Sequence, residues 1–375
     1  MKKKLLLLLT LLCCLTGFSQ GVVVGNTTYN NSNANVLVNT LLGADGRGCL
    51  VRPANVSVTT GAQNYAYSQG TGLGTFTNSN TAFPMTSGVV MVSGNALTAS
   101  GPNTGVSTDG AAGSIWLGDA DLEAALGGGV RTRNATVLEF DFTAVSTSIS
   151  IPYMFASEEY GQYQCTSKDG MAILIKPVGG PSSAYVNIAK LPNGSPVSVS
   201  TLRSSSYNSA CASVNDQYFG VFNGGGAAMT AATNFEGQSV QLTANYSGLV
   251  VGNTYHIKIV VADDGDANAT LQDGTDGRYN SAIFFPAGGV NLGQTVLMSS
   301  LTAANNNALC QGESYTITTG LSNAYNYAWT TTTSSAVLGT SSSLTVNQSA
   351  TYVVTVTDPA TSCSTSQQVE VQFAT

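Results

Sequence analysis

The sequence predicts an all-β protein: a jelly-roll-like β-sandwich with one or two short helices, followed by a smaller sandwich. Three observations carry this. Short apolar and β-branched runs are separated by Gly, Asn, Ser and Pro almost throughout, and 41 of the 375 residues are glycine. Long Leu/Glu/Lys patterns at helical spacing are missing. Only 9% of residues are charged, so solubility rests on Ser, Thr, Asn and Gly, a composition that suits an extracellular β-protein.

Residues 1–20 read as a secretory signal. Lys2, Lys3 and Lys4 form a basic start, and Leu5 to Leu15 is an apolar core too short to span a membrane. Gly17 and Ser19 offer small residues for cleavage, leaving Gln20 as the new N-terminus. Lipidation at Cys13 or Cys14 is disfavoured, because Leu12 and Cys13 precede them where a small residue is needed. No later segment is long and apolar enough for a transmembrane helix. Removing the three signal lysines leaves 10 of the 13 cations against 20 acids, a net charge of −10. Such a surface repels nucleic acid and anionic lipid and suits cations.

Residues 21–294 are expected to form the larger sandwich. Its clearest strands are NVSVTT, GVVMVSG, ATVLEFDF, SISIPYMF, GMAILIKPV, SVQLTANY, TYHIKIVVAD and NSAIFFPAG. TYHIKIVV alternates, placing Tyr255, Ile257 and Ile259 on one face and His256, Lys258 and Val260 on the other. Two short helices are expected. Ala34 to Gly43 carries Val36, Val38, Leu41 and Leu42, and Leu117 to Gly128 has Asp119 or Asp121 to cap its start and Gly127 to end it.

After Arg278 the chain contains no lysine or arginine. Residues 295–375 read as a second domain with closely spaced strands, a Trp between Cys310 and Cys363, and a Tyr in TYVVTV. These features suggest a small Ig-like or PKD-like sandwich.

Export makes disulfides the default state of the five remaining cysteines. Cys310 and Cys363 bracket the second domain and are expected to pair. Cys165 and Cys211 are the next pair, leaving Cys49 either buried and free or competing for one of those partners. Zinc is disfavoured by a single histidine and the lack of any CxxC.

Several segments occur together and in order: SGVVMVSGNALTASGPN, GDADLEAALGG, VLEFDF, YMFASEEYGQY, VNIAKLPNGSPVSV, and YHIKIVVADDGDA leading to NSAIFF. Over residues 35 to 290 the chain thereby resembles the choice-of-anchor L domain of bacterial secreted and surface proteins, common in Bacteroidetes. The resemblance implies an exported β-rich module followed by variable anchoring signals, and it brings no settled activity. Two departures stand out. Asn280-Ser281-Ala282 replaces a triplet that usually begins with an acid, and the inserted ATLQDGTDGRY adds Asp273 and Asp276. By Thr375 no LPxTG, apolar tail or sorting segment has appeared. The chain is then a fragment, or the protein is released or held by a partner.

The chemistry candidates are acidic. Glu158 and Glu159 sit side by side in FASEEY, and Asp263, Asp264 and Asp266 crown VADDGDA. With Asp169 and Asn280, which flank neighbouring strands, they are expected to form a Ca²⁺ site, since that ion takes six to eight oxygen ligands. As consecutive strand residues, Glu158 and Glu159 would otherwise face opposite sides, one toward solvent. No linear EF-hand spacing is present. The same acids admit a glycosidase pair, which needs two carboxyls about 5 to 9.5 Å apart across the scissile bond. Nucleophilic catalysis lacks partners: His256 is the sole histidine and no serine sits in GxSxG. The glycine runs at 70–75, 127–129 and 224–226 lack the setting of a phosphate cradle. Tyr65, Tyr67, Tyr160, Tyr163, Tyr207, Tyr218 and Phe219 are candidates for a sugar-stacking surface, although strand tyrosines usually half-bury their rings.

The expected function is therefore a secreted or cell-surface, non-enzymatic module for adhesion or recognition, with Ca²⁺ stiffening an acidic corner. Its partner would be an extracellular protein or glycan, with no nucleic acid. The alternative is a carbohydrate-binding or carbohydrate-active protein using Glu and Asp carboxylates.

Overall fold

The computed structural model describes residues 21–43, 51, 53–60, 72–105, 116–265, 279–292, 300–321, 323–359 and 362–374, with Cys363 in its backbone only. The signal sequence, Cys49, Tyr65, Tyr67, Asp266, Asp273 and Asp276 lie outside these residues. The protein is 46% strand and 11% helix, in several mostly antiparallel sheets, as an all-β sandwich requires.

Among the described residues, fourteen strands build the larger unit. They are β1 (Val22–Asn26), β2 (Ala54–Thr59), β3 (Leu73–Asn78), β4 (Ser87–Val92), β5 (Arg131–Thr143), β6 (Ile149–Ser157) and β7 (Gly170–Pro177). Then come β8 (Val186–Asn187), β9 (Val197–Ser198), β10 (Phe219–Phe222), β11 (Gly237–Ser239), β12 (Leu242–Tyr246), β13 (Thr254–Gly265) and β14 (Ser281–Pro286). One sheet runs β1-β3-β4-β14-β6-β11-β10, with β12 also on β6; the other runs β2-β5-β13-β7-β8, with β9 on β7. The chain passes repeatedly between sheets, as from β5 to β6 to β7 and from β13 to β14. That interleaving brings the ends of sequence-distant strands together at the ends of the sandwich.

The inner faces meet in a core that includes Leu138, Phe140 and Phe142 of β5, Ile173 and Ile175 of β7, and Ile257 and Ile259 of β13. The other sheet contributes Ile151, Tyr153, Phe155, Ile283 and Phe285. Both outer faces are also partly covered. Phe284 of β14 meets Phe76, Phe83 and Phe235 edge-on at 5.5, 5.3 and 6.1 Å, on the far side of the eight-stranded sheet. Val260 and Ala262 pack outward with Val137, Leu174 and Leu122. TYHIKIVV thus alternates only in its first half. Its second half is apolar on both faces because a helix lies over it.

That helix is α2 (Ala120–Leu126), and it follows α1 (Asn35–Leu42) in the chain. Asp119 caps α2, its side chain accepting from the Leu122 N–H at 2.9 Å, and Gly127 ends it at φ +71°. Asp121 instead joins Asp119 around Lys258, whose Nζ lies 2.8 Å and 2.5 Å from them. Burying Leu122 under α2 stabilises the docking by about 2 kcal/mol. In α1 the buried stripe is Leu37, Val38, Leu41 and Leu42, while Val36 is half exposed.

Among the described residues, the strands of 301–374 pair only with one another. Their strands are β15 (Leu309–Cys310), β16 (Tyr315–Thr318), β17 (Asn326–Thr331), β18 (Ser334–Gly339), β19 (Ser343–Val346), β20 (Ala350–Asp358), β21 (Cys363–Val371) and β22 (Phe373–Ala374). β18-β17-β20-β21 form one sheet, while β16-β19 and β15-β22 form two short pairs. Trp329 is fully buried and donates its Nε1–H to Ser341 O at 2.8 Å.

The disulfide expectations divide. Cys165 and Cys211 are bonded, with Cα atoms 5.5 Å apart. Cys310 is free and exposed, which overturns its expected bond to Cys363. The reason is register. Cys310 pairs beside Ala374, beyond one end of β21, whereas Cys363 opens β21 at its other end. Strand rise puts roughly 26 Å between those ends, against the ~7 Å Cα limit of a disulfide.

Candidate functional site

Four strand ends meet at one end of the larger sandwich. β6 ends at Ser157 beside the start of β14, where Ser281 is its register partner. In the facing sheet, β7 starts at Gly170 beside the end of β13, where Ala262 is its partner. FASEEY and VADDGDA therefore approach each other across the sandwich, not as neighbours in one sheet.

Glu158 and Glu159 are both buried, at 1% and 7% exposure. The strand has already ended at Ser157, so the opposite-face rule does not apply, and the expected solvent-facing glutamate is not found. The turn is fixed by its backbone. Glu158 N–H donates to Asn280 O at 3.0 Å, and Glu159 N–H donates to Ser157 Oγ at 3.0 Å.

Three carboxyls converge behind this turn. Asp169, 1% exposed, accepts from Asp264 N–H at 2.7 Å and from Ser281 Oγ at 2.8 Å. Glu159 accepts from Ser167 Oγ and lies beside Asp169, whose proximity favours its protonated form. Asp263, also 1% exposed, accepts from Asn134 Nδ2 at 2.9 Å through Oδ2, while its Oδ1 is buried without a hydrogen-bond partner of good geometry. Asp169 and Ser93 nevertheless lie close enough to Asp263 to bias its charge.

The electrostatics follow from burial. Burial, opposed by the Asp264 and Ser281 hydrogen bonds, pushes the Asp169 carboxyl up to about 7. Burial, then the charges of Asp169 and Asp263, holds Glu159 well above the ordinary carboxylate range. Burial and the Asp169 charge do the same to Asp263. Among the described residues none of the three makes an ion pair with a lysine, arginine or histidine. Buried carboxyls so placed cannot all ionise without a compensating cation.

Tyr160 closes the apolar side. Its ring meets Phe155 and Phe219 edge-on at 6.5 and 4.8 Å, and burial raises its hydroxyl. Behind the corner, Asn280 donates to Thr98 Oγ1 at 3.3 Å and presses on Gly94, where an added Cβ would sit 2.2 Å from the amide oxygen. Only glycine leaves room for Asn280 there.

The sequence-expected residues thus separate. Glu159, Asp169 and Asp263 converge; Asp264 contributes its backbone N–H; Glu158 and Asn280 are buried around them. As placed, no three His, Cys, Asp or Glu side chains among the described residues are arranged to hold a metal ion. Ser157, Ser167, Ser281 and Asn134 are site residues that sequence reasoning missed. Ser157 and Ser281 directly adjoin Glu158 and Asn280 in the sequence, which was the available signal. Glu158, Glu159, Asp169 and Asp263 are at most 7% exposed and only Asp264 is partly exposed, so these four do not flank an open cleft as a glycosidase pair does.

His256 has the bland role its strand position suggested. On the outer face of the six-stranded sheet its Nδ1 lies 2.6 Å from Asp141 and its Nε2 3.4 Å from Glu139. Among the tyrosines, Tyr163 stacks on Tyr279 at 4.3 Å and Tyr207 stacks on Phe222 at 4.4 Å.

With this fold and corner in view, the comparison with known families is direct. Residues 24–291 match the choice-of-anchor L domain, and the chain belongs to that family. The family consists of surface-associated modules and is not a known enzyme family. No curated protein matches the chain. Among the described residues no helix is long and apolar enough to cross a membrane.

Proposed function

We propose that this protein is an exported, non-enzymatic recognition module whose larger sandwich carries a Ca²⁺-linked acidic corner and is followed by an Ig-like domain. The observation behind the corner's role is the convergence of Glu159, Asp169 and Asp263, all buried and without an ion-pair partner among the described residues. Two states satisfy such a cluster. In one, protons neutralise it, as the upward shifts of Glu159, Asp169 and Asp263 favour. In the other, a hard cation displaces those protons and takes carboxylate, Ser and backbone oxygens as ligands. A small rearrangement of the Glu159 and Asp263 carboxyls is needed for the second state, because as placed they are not arranged around a metal ion.

Function follows from position. The corner joins the ends of β6, β7, β13 and β14, so a cation there links both sheets and the loops that leave them. A calcium titration by calorimetry tests this. The exported chain should bind Ca²⁺ with release of protons, and Asp169→Asn should abolish the heat. Absence of any calcium-dependent heat near neutral pH removes the cation from the proposal and leaves a proton-sharing cluster.

A further inference from the structure

The opposite end of β6 carries a different kind of site. There the edges of the two sheets face each other, β8 on one side and β12 on the other. Between them lies a cleft of about 420 Å³, lined in part by Asn187, Lys190, Thr243, Asn245 and Tyr246. A second cleft of about 200 Å³ continues on the far side of Asn245 and Tyr246 and includes Ser150. The larger cleft falls within the ~300–1,000 Å³ typical of small-ligand sites.

We infer that this double cleft binds a short oligosaccharide, with a sugar ring stacked on Tyr246 and its hydroxyls held by Asn187 and Asn245. The inference rests on the reading of the chain as a recognition module and gives its partner a chemical class.

Four features support it. Tyr246 stands between the two clefts, so it can serve sugar units on either side. The tip of its ring lies over Gly248, where an added Cβ would lie 2.6 Å from the hydroxyl oxygen, so the glycine leaves room for this ring position. Asn187 uses its Oδ1 to accept from Ala189 N–H at 3.0 Å, and its Nδ2 is buried with no hydrogen-bond partner. Turning that amide toward the cleft would let a sugar hydroxyl satisfy the donor. The two clefts contain no carboxylate, and Lys190 is their one charged lining residue. In so acidic a chain this composition rejects cations and admits neutral or carboxylated sugars. The lack of any acid there also makes the cleft a binding site without hydrolytic chemistry.

The test uses the exported chain, 20–375, against immobilised hexasaccharides of two kinds: neutral cello-, xylo- and manno-oligosaccharides, and oligogalacturonate. Binding of at least one kind is expected, with Kd from about millimolar downward. Tyr246→Ala should weaken it by about tenfold or more, whereas Tyr246→Phe, which keeps the ring, should stay within about threefold. Asn187→Ala should weaken both kinds, and Lys190→Gln only the uronate. Each variant's thermal unfolding confirms that it is folded. Failure of all hexasaccharides overturns the inference, as does binding that a folded Tyr246→Ala variant retains. In the second case recognition of glycans stands and the cleft assignment falls. If no sugar binds but the chain still adheres to matrix proteins or cells, the recognition reading survives without this site.

Discussion

One strand, β6, serves both ends of the larger sandwich, and its two ends are chemically opposed. At Ser157 it leads into buried carboxyls without a paired cation among the described residues. At Ile149 and Ser150, roughly 26 Å away by strand rise, it borders a cleft with one lysine and no acid. The acidic end is closed, aromatic-backed and locked by backbone hydrogen bonds. The neutral end is open and keeps a buried amide donor unused. The contrast separates two ways a sandwich end becomes special: by burying charge that demands compensation, or by leaving shaped space and an unsatisfied donor.

The strongest way to break the comparison is to loosen the acidic end alone. Cys165 and Cys211 enclose a separation of 46 residues and tether the turn that carries Glu159. Reduction is expected to cost about 4 kcal/mol by the loop-entropy account. Hydrogen exchange should rise in residues 158–168 and 204–214 while the segment around Tyr246 stays protected. Equal loosening of both ends would show that they are not independent.

Next in size is Asp169→Ala. It strands Asp264 N–H and Ser281 Oγ in a buried setting, at a cost of roughly 2–5 kcal/mol, read from urea denaturation. The matching change at the neutral end, Tyr246→Ala, removes a half-buried ring and should cost about 1–2 kcal/mol.

Smaller still is His256→Gln on the outer face. The hydrogen bonds to Glu139 and Asp141 raise the imidazole above its ordinary value despite partial burial. A raised histidine stabilises the fold below about pH 6.5, and that contribution is lost as pH rises through the folded value. Partial exposure keeps it under about 1 kcal/mol. The variant should flatten the stability profile there slightly and leave both ends of β6 untouched. Least of all, Cys310→Ser should leave unfolding unchanged, and a maleimide should label Cys310 in the native protein, because its thiol is exposed and free.

Much of this was legible in the sequence. The Asp119 cap, Gly127 and the apolar stripe of Leu41 and Leu42 are local signals, and they located both helices. The co-occurrence of FASEEY and VADDGDA pointed to the acidic corner before any coordinates. What failed needed three dimensions. Cys310 and Cys363 bracket a domain in sequence, but the register of β21 sets them at opposite ends. Glu158 and Glu159 read as strand residues, yet the strand stops one residue before them. The double cleft left no mark at all, because Asn187, Asn245 and Tyr246 belong to strands of different sheets and resemble ordinary turn-flanking residues.

The central claim is that the acidic corner is neutralised by protons at low pH and by a divalent cation at high pH. Thermal unfolding of the exported chain, with chelator or with Ca²⁺, from about pH 4 to about pH 8 tests it most directly. Burial pushes the Asp169 carboxyl up from about 3.8 to about 7, so the native state binds the extra proton. Chelated protein should therefore lose stability as pH rises across that window. Millimolar Ca²⁺ should restore it above about pH 7, and Asp169→Asn should abolish the Ca²⁺ effect and shrink the pH effect to what Glu159 and Asp263 contribute. Superimposable curves with and without Ca²⁺ at the alkaline end would contradict the account.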